Sequence, residues 1–363
     1  MTSHHSLNSL LRPLAFLLVV TLSLSACGGG ASDETPHDAA HFLNLARGEV
    51  DVGQYVIAAT LLDQALALEP ENMDAMLLKA QVLAAQNDFL GAALAWEQVS
   101  RLDASNLSAF MSSADNYMRA GQTDLSIDAY GAALAQRPDH APAYAGRGTV
   151  RRGDGDAAGA IADLNKAIAL NPGLSAAFRE RGLAHFALQD TERALSDLDR
   201  ALSLDSLDAL AYASRGVIYA SEGQFPQAVG DLDQAIRLQP ANADHYGNRG
   251  AAYGSLGRHV DAIRDFSAAI ELAPNESLHY VGRGQGYLEL SQVARADADF
   301  ESAIDLNSIN PTAYAFRAVS QSLLGDHVAA AAAANRAEEL GFPGGLIGTL
   351  ITAYTEQISA NDK

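Results

Sequence analysis

Only one of the 363 residues is cysteine, Cys27, so the rest of the chain has no internal disulfide and no thiolate metal site to draw on. Basic residues are also scarce, 24 Lys and Arg against 44 Asp and Glu, for a net charge of −20. That balance excludes nucleic acid as an expected ligand, because phosphate contacts need a basic surface. The apolar run Leu14 to Leu24 holds eleven residues, whereas crossing a bilayer takes about 20. A nucleophile elbow, a phosphate-binding loop and an HExxH metal motif are all missing. No catalytic residue, metal site, cofactor or small-molecule substrate is therefore expected, and stability has to come from the chain packing on itself.

What is present is a period. Pro70, Pro138, Pro172, Pro240 and Pro274 are separated by 34 residues or a multiple of it. In that register the chain divides without insertion into nine units: 39–72, 73–106, 107–140, 141–174, 175–208, 209–242, 243–276, 277–310 and 311–344. Repetition this regular predicts one elongated repeat domain instead of separate globular ones.

Each unit reads as two helices. Place four is aromatic or large and apolar (Phe42, Phe110, Tyr144, Phe178, Tyr212, Tyr246), place eight is small (Ala46, Ala114, Gly148, Gly182, Gly216, Gly250), and place eleven is often Tyr (Tyr117, Tyr219, Tyr253, Tyr287). That i, i+4, i+7 spacing puts all three on one helical face. Glycine in mid-helix costs about 1 kcal/mol against alanine, so its recurrence implies close approach of a second helix. The second helix has matching small residues at places twenty (Ala58, Ala160, Ala228) and twenty-seven (Ala65, Ala167, Ala235), with a bulky one such as Leu62, Trp96, Tyr130, Leu198 or Phe266 at twenty-four. Gly53, Gly121, Gly155, Gly223, Gly257 and Gly325 mark the turn between the helices, and proline ends the unit.

With small residues at eight, twenty and twenty-seven, a bulky one at twenty-four and proline at thirty-two, the sequence from 39 to 344 resembles the tetratricopeptide repeat (TPR) family. The resemblance implies an all-α fold, a right-handed superhelical α-solenoid of nine helix pairs. It also implies a concave groove, lined by first helices, that binds peptides or other proteins. Glu49, Gln321 and Ala334 depart from the pattern in the end units, as terminal repeats usually do. Residues 345–363 are expected to form a capping helix and tail. They carry Leu346, Ile347, Leu350, Ile351, Tyr354 and Ile358 at helical spacing, and they leave no space for a catalytic domain.

Ahead of the repeats, Arg12, the short apolar run and Leu24-Ser25-Ala26-Cys27 read as a secretory leader over 1–26. The tetrapeptide resembles a bacterial lipobox, which implies cleavage before Cys27 and fatty acylation of that residue. Gly28 in place of Asp after the cysteine favours the outer membrane, facing the periplasm. Residues 27–38 would then be a lipidated, flexible tether. Cleavage removes Arg12, the only charge counted within 1–26, and takes the net charge from −20 to −21.

Two features of the repeats bear on partners. Arg147, Arg181, Arg215, Arg249, Arg283 and Arg317 occupy place seven of units four to nine, and Asp163, Asp197, Asp231, Asp265 and Asp299 occupy place twenty-three of units four to eight. Their joint occurrence predicts partly desolvated ion pairs, within a unit or between neighbours. The face of the first helix opposite the core should carry function. In units five to eight its residues are Arg179, Leu183, Phe186, Ala213, Val217, Ala220, Gly247, Ala251, Gly254, Val281, Gln285 and Leu288. This is a mostly apolar strip of small residues with little charge, suited to an extended peptide or amphipathic helix. The expected function is a membrane-anchored adaptor or scaffold that recruits an envelope protein or peptide of pilus, secretion or cell-wall machinery. The alternatives are a purely structural subunit or a docking arm for an enzyme. Arg152-Gly153-Asp154, placed in an expected turn, and the equivalent His245 and His279 are weaker candidates, for adhesion and metal binding respectively.

Overall fold

The computed structural model describes residues 38–361. The expected leader, Cys27 and the tether as far as residue 37 lie outside the described residues. Units one to three are built of α1 (Ala39–Asp51), α2 (Tyr55–Leu68), α3 (Met73–Ala85), α4 (Phe89–Leu102), α5 (Leu107–Arg119) and α6 (Thr123–Gln136). Units four to six follow as α7 (Ala141–Gly153), α8 (Ala157–Leu170), α9 (Ser175–Ala187), α10 (Thr191–Leu204), α11 (Ala209–Ser221) and α12 (Phe225–Leu238). Units seven to nine are α13 (Ala243–Ser255), α14 (His259–Leu272), α15 (Ser277–Glu289), α16 (Val293–Leu306), α17 (Pro311–Leu323) and α18 (His327–Glu339), and α19 (Gly344–Asn361) closes the series. Each helix packs on the next, and first helices also touch first helices of neighbouring units. The fold is an all-α superhelical solenoid, as the period predicts.

Local chemistry sets the helix ends. Asn72, Asn106 and Asp208 accept hydrogen bonds from the backbone N–H three residues on; such N-caps contribute about 1 kcal/mol each. Place fifteen has positive φ in every unit. It is glycine in six of them, and Asn87 (φ 62°), Gln189 (φ 63°) and Ser291 (φ 58°) in the other three. Proline turns out not to be required for the exit from the second helix. Asp103 (φ −124°, ψ 88°) leaves α4 much as Glu69 (φ −130°, ψ 86°) leaves α2 ahead of Pro70. In units two, five and eight, which lack this proline, Asp103, Asp205 and Asn307 accept from the N–H two residues on, closing the bend with a side chain, as Asn171 also does ahead of Pro172.

The core is a ladder of small-against-large contacts. The alanines at places twenty and twenty-seven are almost all fully buried. A Cβ at Gly284 would lie 2.6 Å from the Phe300 ring, and one at Gly148 would lie 2.7 Å from Leu164 Cγ. At place six, glycine follows two of the four aromatics that stand at place twenty-four of the preceding unit, Tyr130 and Phe266; Ser112 follows Trp96, and Phe316 stacks on Phe300. Gly146 lies against Tyr130 and Gly282 against Phe266, with no room for a side chain at either.

The arginines at place seven resolve the pairing question in both directions. Arg215 donates from Nε (2.7 Å) and Nη2 (2.7 Å) to Asp231 of its own unit and from Nη1 (2.6 Å) to Asp199 of the preceding one. Arg249 does the same with Asp265 and Asp233. Arg181 reaches Asp197 and Asn165, and Arg283 reaches Asp299 and Ser267. Asp197 is thus the partner of Arg181, not of Arg215. The bonds to the carboxylates hold the Arg215 and Arg249 guanidiniums well above their ordinary pKa, against the opposing effect of burial. Arg317, whose unit has Ala333 at place twenty-three, turns to Glu301 at 2.6 Å and lies 4.0 Å from Asp297. Asp297 in turn accepts from Ser320.

Candidate binding groove

The strip residues divide by exposure. Val217, 39% exposed, and Ala251 are open, whereas Leu183, Phe186, Ala220, Gly254 and Gln285 are half-buried. Ala213, Gly247, Val281 and Leu288 are buried. Leu288 joins Phe300, Val319 and Tyr354 in the core, and Val281 joins Ala303 and Ala313. Leu288 is therefore a stacking residue and lines neither cavity of the groove, whereas Val281, though buried, still lines one of them. Superhelical curvature brings neighbouring first helices together there, which the periodicity of a single helix does not reveal. Arg179 is not a free cation either. It bonds Glu180 and Asp208, and Glu180 also accepts from Arg152. Arg152 is thus on the last turn of α7 and committed to an ion pair, not displayed in a turn.

Between units seven and nine the groove deepens into two neighbouring cavities of about 390 and 470 Å³. Both are lined by Ala251, Phe266, Gly282 and Gln285. The missing side chain at Gly282, which lets Phe266 reach across, is what opens the wall. The first cavity also takes in His259, Glu289 and Tyr354, and the second Asp244, Glu276 and His279. Carboxylates thus rim a mainly apolar floor, a feature absent from the sparsely charged strip read from sequence. Glu289 and Glu276 sit at places thirteen and thirty-four, outside the face chosen by helical spacing, whereas Asp244 sits at place two, on that face.

The far wall belongs to α19. Ile347 and Tyr354 are buried, and Leu350 and Ile351 pack beside them, whereas Leu346 is exposed. The helix covers unit nine as expected and also reaches unit eight. Tyr354 Oη donates to Glu289 Oε1 (2.7 Å), and Gln357 Nε2 donates to the Glu289 backbone carbonyl (3.2 Å). Burial, reinforced by the Glu289 carboxylate, pushes the Tyr354 phenol above its usual range. His245 and His279 are buried, and burial lowers the pKa of both. No group of three metal-ligating side chains gathers among the described residues.

Matches to the tetratricopeptide repeat cover residues 43–106, 112–175, 179–231 and 281–341, with further repeat matches at 216–257 and 243–276. The chain belongs to the TPR family. TPR arrays serve as protein-interaction scaffolds, and no curated protein matches this one. Among solved structures it is similar to the APC/C hetero-tetramer Cut9–Hcn1 (TM-score 0.59, 17% identity), covering 77% of this chain and 55% of that one. This TPR chain thus spans little more than half the length of that relative. It is also similar to Pseudomonas aeruginosa PilF (TM-score 0.53, 18% identity, 59% of this chain and 96% of that one). A tetratricopeptide repeat protein from Parabacteroides merdae matches at TM-score 0.51 and 19% identity, over 69% of this chain and 98% of that one. At these identities the likeness concerns the fold.

Proposed function

We propose that this TPR protein is a membrane-anchored adaptor that recruits a cell-envelope protein through the concave face of units six to nine. The observation that carries the reading is the pair of cavities around Phe266, bordered by the open Ala251 and rimmed by Asp244, Glu276 and Glu289. An apolar floor of this size takes side chains, and the carboxylates favour a peptide with basic residues beside its apolar anchors. Leu24-Ser25-Ala26-Cys27 supports the anchor: lipid on Cys27 would hold the array at the outer membrane, facing the periplasm.

Two experiments test the two halves separately. Intact mass of the mature protein should give an acylated Cys27 as the first residue, and Cys27→Ser should leave the protein unprocessed or soluble; an unmodified Cys27 sinks the anchor. Ala251→Glu should retain helicity and melting while losing the partner captured from solubilised membranes. Full capture by a folded Ala251→Glu variant places the contact outside the groove.

A further inference from the structure

Every unit that follows another has a cation at place seven, with one exception. Lys79, Arg147, Arg181, Arg215, Arg249, Arg283 and Arg317 occupy the place in units two and four to nine, and unit three has Ser113. The residues that receive an arginine there are visible around Arg215. Its guanidinium carbon is 5.8 Å from the Tyr212 ring centroid and 5.9 Å from that of Tyr219, and its nitrogens bond Asp231 and Asp199. Three periods earlier, the same places hold Phe110, Tyr117, Ala129 and Glu97. These four and Ser113 together line a cavity of about 400 Å³. The Ser113 hydroxyl turns away from it, donating to the Ala93 carbonyl at 3.1 Å.

The carboxylate in this cavity is bonded on both oxygens, one of them by a side chain that a ligand can displace. Glu97 Oε2 accepts from the buried Tyr117 hydroxyl at 2.7 Å. That bond, more than the one from Arg101, draws the Glu97 carboxyl below its usual range. Arg101 reaches the other oxygen at 2.6 Å from its own helix, and its side chain is 72% exposed, so solvent competes for it. Leu125, also exposed, Asp128 and Arg101 itself form the rim, so a bound guanidinium takes the place of Arg101 on Glu97.

We infer that unit three carries an open receptor for an arginine side chain of a partner protein. The guanidinium would lie between Phe110 and Tyr117 and donate to Glu97, in the place that the chain's own arginines take in the later units. Lysine fits less well, because its ammonium lacks the planar fork that stacks and chelates together. The site lies between α4, α5 and α6, apart from the groove of units six to nine, and does not depend on the function proposed for that groove.

The test is titration of the ¹⁵N-labelled protein with N-acetyl-arginine amide, and in parallel with the citrulline analogue, which has the shape without the charge. Arginine should give saturable shifts at Glu97, Ser113 and Tyr117, with citrulline at least about tenfold weaker. Ac-Leu-Arg-Leu-NH₂ should bind more tightly than the single residue by using the Leu125 rim; equal binding would assign the site to free guanidines and overturn the protein partner. Ser113→Arg/Ala129→Asp reproduces the pair of unit six and should raise the melting temperature while abolishing the shifts. Glu97→Gln, which keeps an acceptor for Tyr117, should weaken binding about tenfold even if the double variant misfolds. Absence of saturable shifts, equal response to arginine and citrulline, or undiminished binding in Glu97→Gln each overturns the inference.

Discussion

Units two and three and units four to eight share a backbone and a small-residue core but fill the margin of that core with different polar chemistry. In the later units an arginine lies against aromatic rings, as Arg249 does over Tyr246 and Tyr253, and grips a buried aspartate with two bonds. In the earlier ones Lys79 meets Asp63, Tyr117 meets Glu97 and Tyr130 meets Asp115, each with a carboxylate nearer to water. The contrast separates what the repeat requires from what it tolerates. Interdigitated small residues, alanine or glycine at place eight, recur in all nine units, whereas the margin needs only that each buried polar group have a partner. A tyrosine hydroxyl can supply one as well as a guanidinium.

The contrast can be broken or sharpened experimentally. The largest effect should come from removing residues 344–363, which uncovers Leu288, Phe300 and Val319. We expect a loss of several kcal/mol, self-association, and faster hydrogen exchange in units eight and nine with units one to three unchanged; a uniform change along the array would mean that the two regions are not separable. Next, Arg215→Ala should cost about 3 kcal/mol in urea unfolding, because Asp231 is only 7% exposed and is left unpaired. Coupling in double-mutant cycles should be large with Asp231, small with the 60% exposed Asp199 and absent with Asp197. In the early region Tyr130→Phe should cost only about 1 kcal/mol, since Asp115 can turn to water. An equal loss at Tyr130 and Arg215 would erase the distinction.

Burial lowers the pKa of three histidines, His140 at the end of unit three and His245 and His279 in the later units, so acid should act more on the later region. His245 and His279 have folded-state pKa values below the ordinary 6.5. The unfolded chain therefore takes up their protons first, and stability falls as pH drops below about 6.5. His279→Gln should flatten the dependence of melting temperature on pH between 7.5 and 5.5; an unchanged slope assigns the acid response to other groups. The smallest expected effect is a gain. Gln189→Gly removes a left-handed side-chain conformation at place fifteen and should stabilise by about 1 kcal/mol.

The parts of the fold legible in sequence were those fixed within one unit. Helix number, turns, place-eight glycines and the Arg–Asp pair at seven and twenty-three all follow from a period and a helical face. The parts missed depend on the relation between units. Asp199 and Asp233 at place twenty-five bond the next unit's arginine, and the signal was there in the recurring acid or amide of Asp63, Glu97, Asn165 and Glu301 at the same place. Burial of Val281 and Leu288 follows from curvature, and contact of α19 with Glu289 from the angle at which that helix returns. Neither quantity is encoded in the spacing of one helix. Left-handed Asn87, Gln189 and Ser291 were hidden because glycine marks this conformation in the other units.

The arginines that grip two units at once also determine how far a disturbance spreads. Arg181, Arg215, Arg249, Arg283 and Arg317 each bond back to the preceding unit, but Arg147 faces Gly131 at the corresponding place and bonds only within its own. The junction between units three and four is thus joined by the apolar packing of Tyr130 and Leu134 with Ala143 and Val150, without this cross-link. In a linear array, where cooperativity is carried by nearest-neighbour coupling, the missing cross-link lowers the coupling at this junction. Thermal opening and mechanical pulling should therefore divide the molecule there, into a three-unit block and a six-unit block that fold and yield as separate cooperative bodies.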